Sequence, residues 1–322
     1  MFKCFFRLVV LLAPLLAEAD SKLWDATNEA YGFLFSQKIT NQIVERKFPV
    51  LAQSSAEANR NFLSSPYGKS FDSIEKQIAA GYPANWLATK EQIYKTLVAA
   101  LEQKIKNKLD AENFIGFVNE RSKGRIDPPI RNAILANNPD FHSDFSKEID
   151  NGLFQEVDIL QQVEDANSVS LLIPLSWQKQ TSDETGSINY KGMSGREIIN
   201  LKISVKQINI PKGLDARSLS KEILSPSSLE KMVPPQERLL STSSVDFNDR
   251  HWGKMVSEIS SSKLNPPVKM RVIKYFTLHK RFLITFRFLL IKTPISEDSL
   301  DSAQSRIETG AEGVLSTIKF KK

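Results

Sequence analysis

The chain has 322 residues, 43 Lys+Arg against 37 Asp+Glu, 41% hydrophobic and 25% charged residues, a composition that excludes wholesale disorder, a collagen-like repeat and a disulfide scaffold. At this length the expectation is two domains, or one large one, with enough core to fold without staples. The formal net charge of +6 is spread unevenly along the sequence.

Residues 1–19 have the form of a cleavable secretory signal. Lys3 and Arg7 precede an apolar run from Leu8 to Leu16, and Ala17-Glu18-Ala19 supplies an A-x-A cleavage site. The run is interrupted by Pro14 and falls short of the roughly 20 apolar residues of a spanning helix. Cleavage after Ala19 leaves a mature chain without cysteine, because Cys4, the only one, lies inside the signal. An exported chain of this size without disulfides fits a bacterial periplasm, with outright secretion as second choice. A cysteine nucleophile, a thiolate zinc site and a redox role are removed with the cysteine.

From Leu23 to Leu135 apolar residues recur at helical spacing. Helices are expected over Leu23–Arg46, Ser55–Leu63, Phe71–Ala80 and Ala111–Arg121, the last stopped by Gly124. The clearest stripe is Ile93, Leu97, Val98, Leu101, Ile105 and Leu109, opened by a capping-box pattern at Thr89. Asp127-Pro128-Pro129 reads as an N-cap with prolines in the first turn of a short helix. Residues 20–140 therefore read as a helical bundle. Over 141–164 periodicity fails and Asn151-Gly152 offers turn chemistry, which predicts a linker.

Over 165–322 the pattern changes to β-rich runs at Val169–Ile173, Leu201–Ile210, Leu239–Phe247, His251–Ile259, Val268–Thr277 and Arg281–Lys292, with helices at Ala216–Leu224 and Asp298–Ile318. The fold class is α+β: an N-terminal helical bundle followed by a mainly antiparallel sheet flanked by helices. Ile173-Pro174-Leu175-Ser176-Trp177, the strands after it, and a closing hairpin followed by an amphipathic helix resemble the PsbP-like α/β/α sandwich. That resemblance covers 165–322 and implies protein or ligand binding without catalysis. It assigns no functional residue.

The three histidines, His142, His251 and His279, lack the spacing of a zinc site and read as ordinary exposed residues, His279 in a hairpin turn. Asp246, Asp249, Arg250 and His251 form the densest polar cluster with catalytic potential, although Asp-Phe-Asn-Asp between strands is also what a turn uses. No nucleophile elbow, phosphate loop or dinucleotide fingerprint occurs, and no cofactor or metal is called for.

Charge is the most informative feature. Residues 20–150 hold 17 Lys+Arg and 17 Asp+Glu, whereas 151–322 hold 24 and 19. No Asp or Glu lies between Glu258 and Glu297, a stretch carrying Lys263, Lys269, Arg271, Lys274, Lys280, Arg281, Arg287 and Lys292. If a three-residue loop joins the last two strands, Arg271 opposes Arg287. Lys269, Arg271, Tyr275, Arg281 and Arg287 are then a candidate basic face, unless carboxylates of another element such as the C-terminal helix neutralise it.

Three functions follow. The first is a non-enzymatic periplasmic binding or scaffold protein whose basic face takes a protein or an anionic envelope component. The second is a hydrolase at the domain seam around His251, and the third a structural subunit of an envelope assembly. Export argues against nucleic acid as the partner.

Overall fold

The computed structural model describes residues 18–81, 85–160, 169–182, 184, 186–194, 197–210, 216–261, 268–292 and 299–320. Apart from Glu18 and Ala19, the expected signal lies outside the described residues. No described helix is long and apolar enough to cross a membrane. The chain divides into two compact units, 1–139 and 140–322.

The first unit is helical: α1 (Glu18–Lys47), α2 (Ala52–Ser64), α3 (Phe71–Gly81), α4 (Trp86–Glu102), α5 (Lys108–Ser122) and α6 (Pro128–Ala136). Helix α1 packs against α2, α3, α4 and α6. It buries Tyr31, Leu34, Phe35, Ile39, Ile43 and Val44 together with Thr27, Gln37, Thr40 and Asn41. That is more than one apolar stripe, as a helix enclosed by its neighbours requires. Its buried polar groups are met locally: Gln37 accepts from Arg121 Nη1 at 2.8 Å and Asn41 donates to Asn59 at 2.8 Å. Arg121 lies over the Phe33 ring, and burial lowers its pKa to about 10.

The stripe expected to run from Thr89 to Leu109 as one helix ends at Glu102, and Lys108 and Leu109 instead open α5. The break falls where Asn107 accepts from Asp110 N while the Asp110 carboxylate accepts from Asn107 N, so the capping box forms at Asn107 and starts α5. Gly124 stops α5 at φ 84°, and a Cβ there would meet the Tyr67 hydroxyl at 2.4 Å. Asp127 takes the N-cap position of α6 with no side-chain bond to the helix.

Of the stretch expected as a linker, residues 141–160 are described, and they belong to the second unit. It carries α7 (Pro139–His142), α8 (Lys147–Asp150) and β1 (Phe154–Asp158). Phe145, Ile149, Val157, Ile159 and Leu160 are buried in that unit's core, so its residues are ordered by packing although their spacing follows no single period. His142 is half-buried in α7.

The rest of the second unit comprises β2 (Val169–Pro174), β3 (Gln178–Gln180), β4 (Ser187–Ser194), β5 (Glu197–Gln207), α9 (Ala216–Ile223), α10 (Pro226–Glu230), β6 (Arg238–Phe247), β7 (Arg250–Ser261), β8 (Val268–His279), β9 (Phe282–Ile291), α11 (Leu300–Leu315) and β10 (Lys319–Phe320). Strands β1-β2-β10 form a small antiparallel sheet, and a seven-stranded antiparallel sheet runs β3-β4-β5-β9-β8-β7-β6. Helix α11 lies on one face of the large sheet, and α9 and α10 lie on the other. The class is α+β with helices on both sides of an antiparallel sheet.

The main core joins Ile199, Leu201 and Ile203 of β5, Phe286, Phe288 and Leu290 of β9, Ile307, Ala311 and Val314 of α11, and Val169, Leu171 and Ile173 of β2. The Pro174-to-Trp177 motif has a structural role in it. Trp177 N donates to Pro174 O at 3.1 Å, turning the chain, and the indole packs on Phe145 and Phe288 with ring centroids 5.0 and 6.4 Å away. Gly192 lies beneath that indole; a Cβ there would come within 2.3 Å of it.

Candidate functional site

The β8–β9 hairpin decides where the expected basic face goes. Its turn is two residues, Lys280-Arg281, with Lys280 at φ 51°, and the last pair is His279 with Phe282. Arg271 therefore pairs with Leu290, and Arg287 with Lys274. Relative to a three-residue loop the register moves by an odd number, which puts Arg271 and Arg287 on opposite faces of the sheet. Arg271 and Tyr275 share the inner face with Phe286 and Phe288. Arg281 is in the turn, and Lys269 is exposed near the start of β8. The five residues do not form one patch.

Arg271 is neutralised from the side of α11. It is 6% exposed, donates to Asp301 at 2.6 Å and lies 3.9 Å from Glu258. Along the same helix Glu308 and Glu312 receive Lys254 Nζ at 2.9 and 3.0 Å, and Glu312 also accepts from the Tyr275 hydroxyl at 3.0 Å. Burial pulls the Lys254 pKa down, but the two carboxylates together leave it raised. Tyr275 is held up by burial, reinforced by Glu312.

On the other face a cationic row crosses three strands in register: Lys202 of β5, Arg287 of β9 and Lys274 of β8. Lys274, 7% exposed, donates to both carboxylate oxygens of Glu237 at 2.9 Å, and Glu237 also accepts from the Ser257 hydroxyl. Burial nevertheless leaves the Lys274 pKa lowered. Lys202 pairs with the exposed Glu184. Arg287 makes no hydrogen bond or ion pair among the described residues; burial lowers its pKa and only the field of Glu237 opposes that. Leu224 and Leu229, at the ends of α9 and α10, cover Met255 and Phe276. Toward β9 and β5, Thr285, Arg287, Leu289, Asn200 and Lys202 remain partly exposed.

The second candidate lies at the turn end of the sheet. Phe247-Asn248-Asp249-Arg250 makes a tight β6–β7 hairpin with Asn248 and Asp249 at φ 54° and 55°, the left-handed pair of a type I′ turn. Asn248 Nδ2 donates to Ser316 O at 2.8 Å, fixing the turn to the end of α11. The fold brings Asp246 and His251 together, Nδ1 to Oδ1 at 2.9 Å, while Asp249 sits in the turn. The Asp246 side chain is 79% exposed, whereas the orienting acid of a catalytic triad is buried. Among the described residues no three His, Asp or Glu side chains converge to hold a metal ion.

Arg250 and His279, which the sequence did not single out together, form the inner wall of this end. Arg250 donates to Leu278 O at 3.2 Å and stands 3.3 Å from His279 Nδ1, with its guanidinium 3.6 Å from the centre of the Phe320 ring. His279 is 5% exposed, not the surface residue its turn position predicts, because the C-terminal strand β10 lays Phe320 against it at 4.9 Å. Burial, then Arg250 and Lys280, lowers its pKa to about 4. A cleft of about 860 Å³ is bounded by these groups and by Lys221, Asp246 and Lys280. The proximity of Arg250 and His279 depends on two strand registers at once, and the sequence carries no local signal of it.

No protein-family model matches the sequence, and no curated protein matches it. Among solved structures the chain is similar to a crystal structure from Bacteroides thetaiotaomicron VPI-5482, at 15% identity and TM-score 0.31 over 48% of this chain and 45% of that one. The chain thus spans less than half the length of that neighbour. It is similar to the solution structure of cyanobacterial PsbP (CyanoP) from Synechocystis sp. PCC 6803, at 15% identity and TM-score 0.31, covering 52% of this chain and 92% of that one. It is also similar to LpqN of Mycobacterium tuberculosis, described as involved in cell envelope biogenesis, at 10% identity and TM-score 0.33, covering 56% and 98%. A solved PsbP is among these structures.

Proposed function

We propose that the protein is an exported, non-catalytic binding protein that docks an acidic protein surface on the half-open face of its large sheet, across Lys202, Arg287 and Lys274. The observation that carries this reading is Arg287: a partly buried guanidinium set between two lysines in register, with no hydrogen bond or ion pair among the described residues. Like charges side by side on a sheet destabilise it. A carboxylate-bearing partner removes that cost and adds charge-assisted bonds to the arginine. Lys274 is already committed to Glu237 and Lys202 to the exposed Glu184, so Arg287 supplies the attraction and Lys202 joins it by exchanging Glu184 for a carboxylate of the partner.

The expected result with a poly-glutamate peptide is binding at low salt that weakens as ionic strength rises, since the Debye length is about 8 Å at physiological salt. Arg287→Glu is expected to weaken it about tenfold, which is roughly 1.4 kcal/mol, while the exposed control Lys106→Glu leaves it unchanged. Equal losses in both variants, or binding only to vesicles of anionic lipid, would reject the acidic-protein reading. Export is checked separately: intact mass of protein released by osmotic shock should begin at Asp20, and a membrane-bound chain retaining residues 1–19 would refute it.

A further inference from the structure

We propose that the cleft bounded by Arg250, His279, Lys221 and Lys280 is a binding site for a small organic carboxylate with an apolar body. This goes beyond the docking face, which lies on a different row of the sheet.

The argument begins with the tautomer of His279. An arginine can only donate hydrogen bonds. The 3.3 Å approach of Arg250 Nη2 to His279 Nδ1 therefore makes Nδ1 the acceptor and places the ring proton on Nε2. That Nε2–H belongs to a side chain 5% exposed, it has no hydrogen-bond partner among the described residues, and the ring lines the cleft. A buried donor held in one orientation by a neighbouring arginine and an aromatic ring is a fixed point of recognition for an acceptor oxygen. Phe320, against both Arg250 and His279, locks the pair in place.

The charge around the donor chooses the class of acceptor. Among the described residues three cations, Lys221, Arg250 and Lys280, border the cleft against two carboxylates, Asp246 and Asp249. Of these carboxylates Asp246 already engages His251. The excess of one positive charge suits a monoanion; a doubly charged phosphate would face both aspartates with less compensation. The remaining wall is apolar: Leu278, Ile318 and Phe320 line the same space. A carboxylate oxygen on His279 Nε2–H, with an ammonium of Lys221 or Lys280 on its partner oxygen, leaves the body of the ligand against that wall.

Benzoate is the probe, with acetate, phosphate and benzyl alcohol as comparison arms. Histidine-ring resonances of the full mature protein are followed by NMR during each titration. The expected result is a saturable shift of the His279 ring with benzoate, at an affinity at least tenfold above acetate and phosphate, and none with benzyl alcohol. Calorimetry on His279→Phe, which keeps the packing on Phe320 and deletes the donor, should show at least tenfold weaker binding. Should that variant unfold, Lys221→Gln and Lys280→Gln carry the test at exposed positions: each is expected to weaken benzoate at least threefold, with an unchanged melting temperature. Absence of a saturable shift, tighter binding of phosphate than benzoate, equal binding of benzyl alcohol, or unchanged affinity in both lysine variants would overturn the proposal.

Discussion

Replacing Glu148 with glutamine is expected to abolish a pH dependence of stability on the order of 3 kcal/mol. Glu148 is 1% exposed, and its carboxylate accepts from Ser176 N at 3.0 Å and from the Ser176 hydroxyl at 2.6 Å. Burial pushes its pKa from 4.5 to about 7, and the two bonds from Ser176 only partly oppose the rise. The folded state therefore keeps a proton that the unfolded chain has released between these two values. Stability contributed by this protonated carboxyl is full below pH 4.5 and is lost as pH rises to about 7, where it levels off. Two and a half pH units at about 1.4 kcal/mol each set the size of the effect.

His279 acts in the opposite sense over an overlapping range. Its pKa falls from 6.5 to about 4 on folding, so it contributes stability that is present above 6.5 and is lost as pH drops through about 4. The raw pH curve of the wild type is a sum of both, and the difference between wild type and Glu148→Gln isolates the glutamate. Urea unfolding at pH 5 and pH 8 is the measurement: the variant should match the wild type at pH 5 and exceed it at pH 8. Parallel curves for the two proteins would show that Glu148 titrates near its ordinary value.

Much of the sheet is legible from alternation alone. Phe282, Ile284, Phe286, Phe288 and Leu290 are all buried on one face of β9, as their shared parity requires. What alternation cannot supply is register, because that depends on the number of residues in a turn. Leu278-His279-Lys280-Arg281-Phe282 contains no Gly, Asn or Asp to mark a two-residue loop, and Lys280 adopts a left-handed φ of 51° that its type disfavours. A turn one residue longer puts Arg271 on the opposite face from the one it occupies. The same limit hides the cleft: Asp246 and His251 are close in sequence and visible as a cluster, whereas His279 and Phe320 reach it through β8 and β10. Strand β4 carries little sequence signal because Ile188, Tyr190 and Met193 are its sparse apolar residues, and Gly192 between them breaks the β pattern to admit Trp177.

Charge reversal at Arg271 is expected to cost about 3 kcal/mol or more, while the same change at Arg287 leaves stability within about 1 kcal/mol. Arg271 lies 3.9 Å from Glu258, whose own side chain is only 9% exposed and also receives Arg238 at 3.0 Å. Asp301 closes the outer side at 2.6 Å, but it is 86% exposed, so its bond is screened and is the weaker contribution. Arg271→Glu removes the cation from this group and buries a second carboxylate beside Glu258, next to the first turn of α11, whose N-cap is Ser299. Arg271→Met should cost less, since it takes the charge away without adding a like one, yet it leaves Glu258 with Arg238 alone. At Arg287 the neighbours are Lys202 and Lys274, so a glutamate there meets opposite charge on both sides. Urea unfolding of the three single variants ranks them directly. The expected order of destabilisation is Arg271→Glu, then Arg271→Met, then Arg287→Glu; equal and small losses at the two arginines would place both on the solvent face and return the hairpin to a three-residue loop.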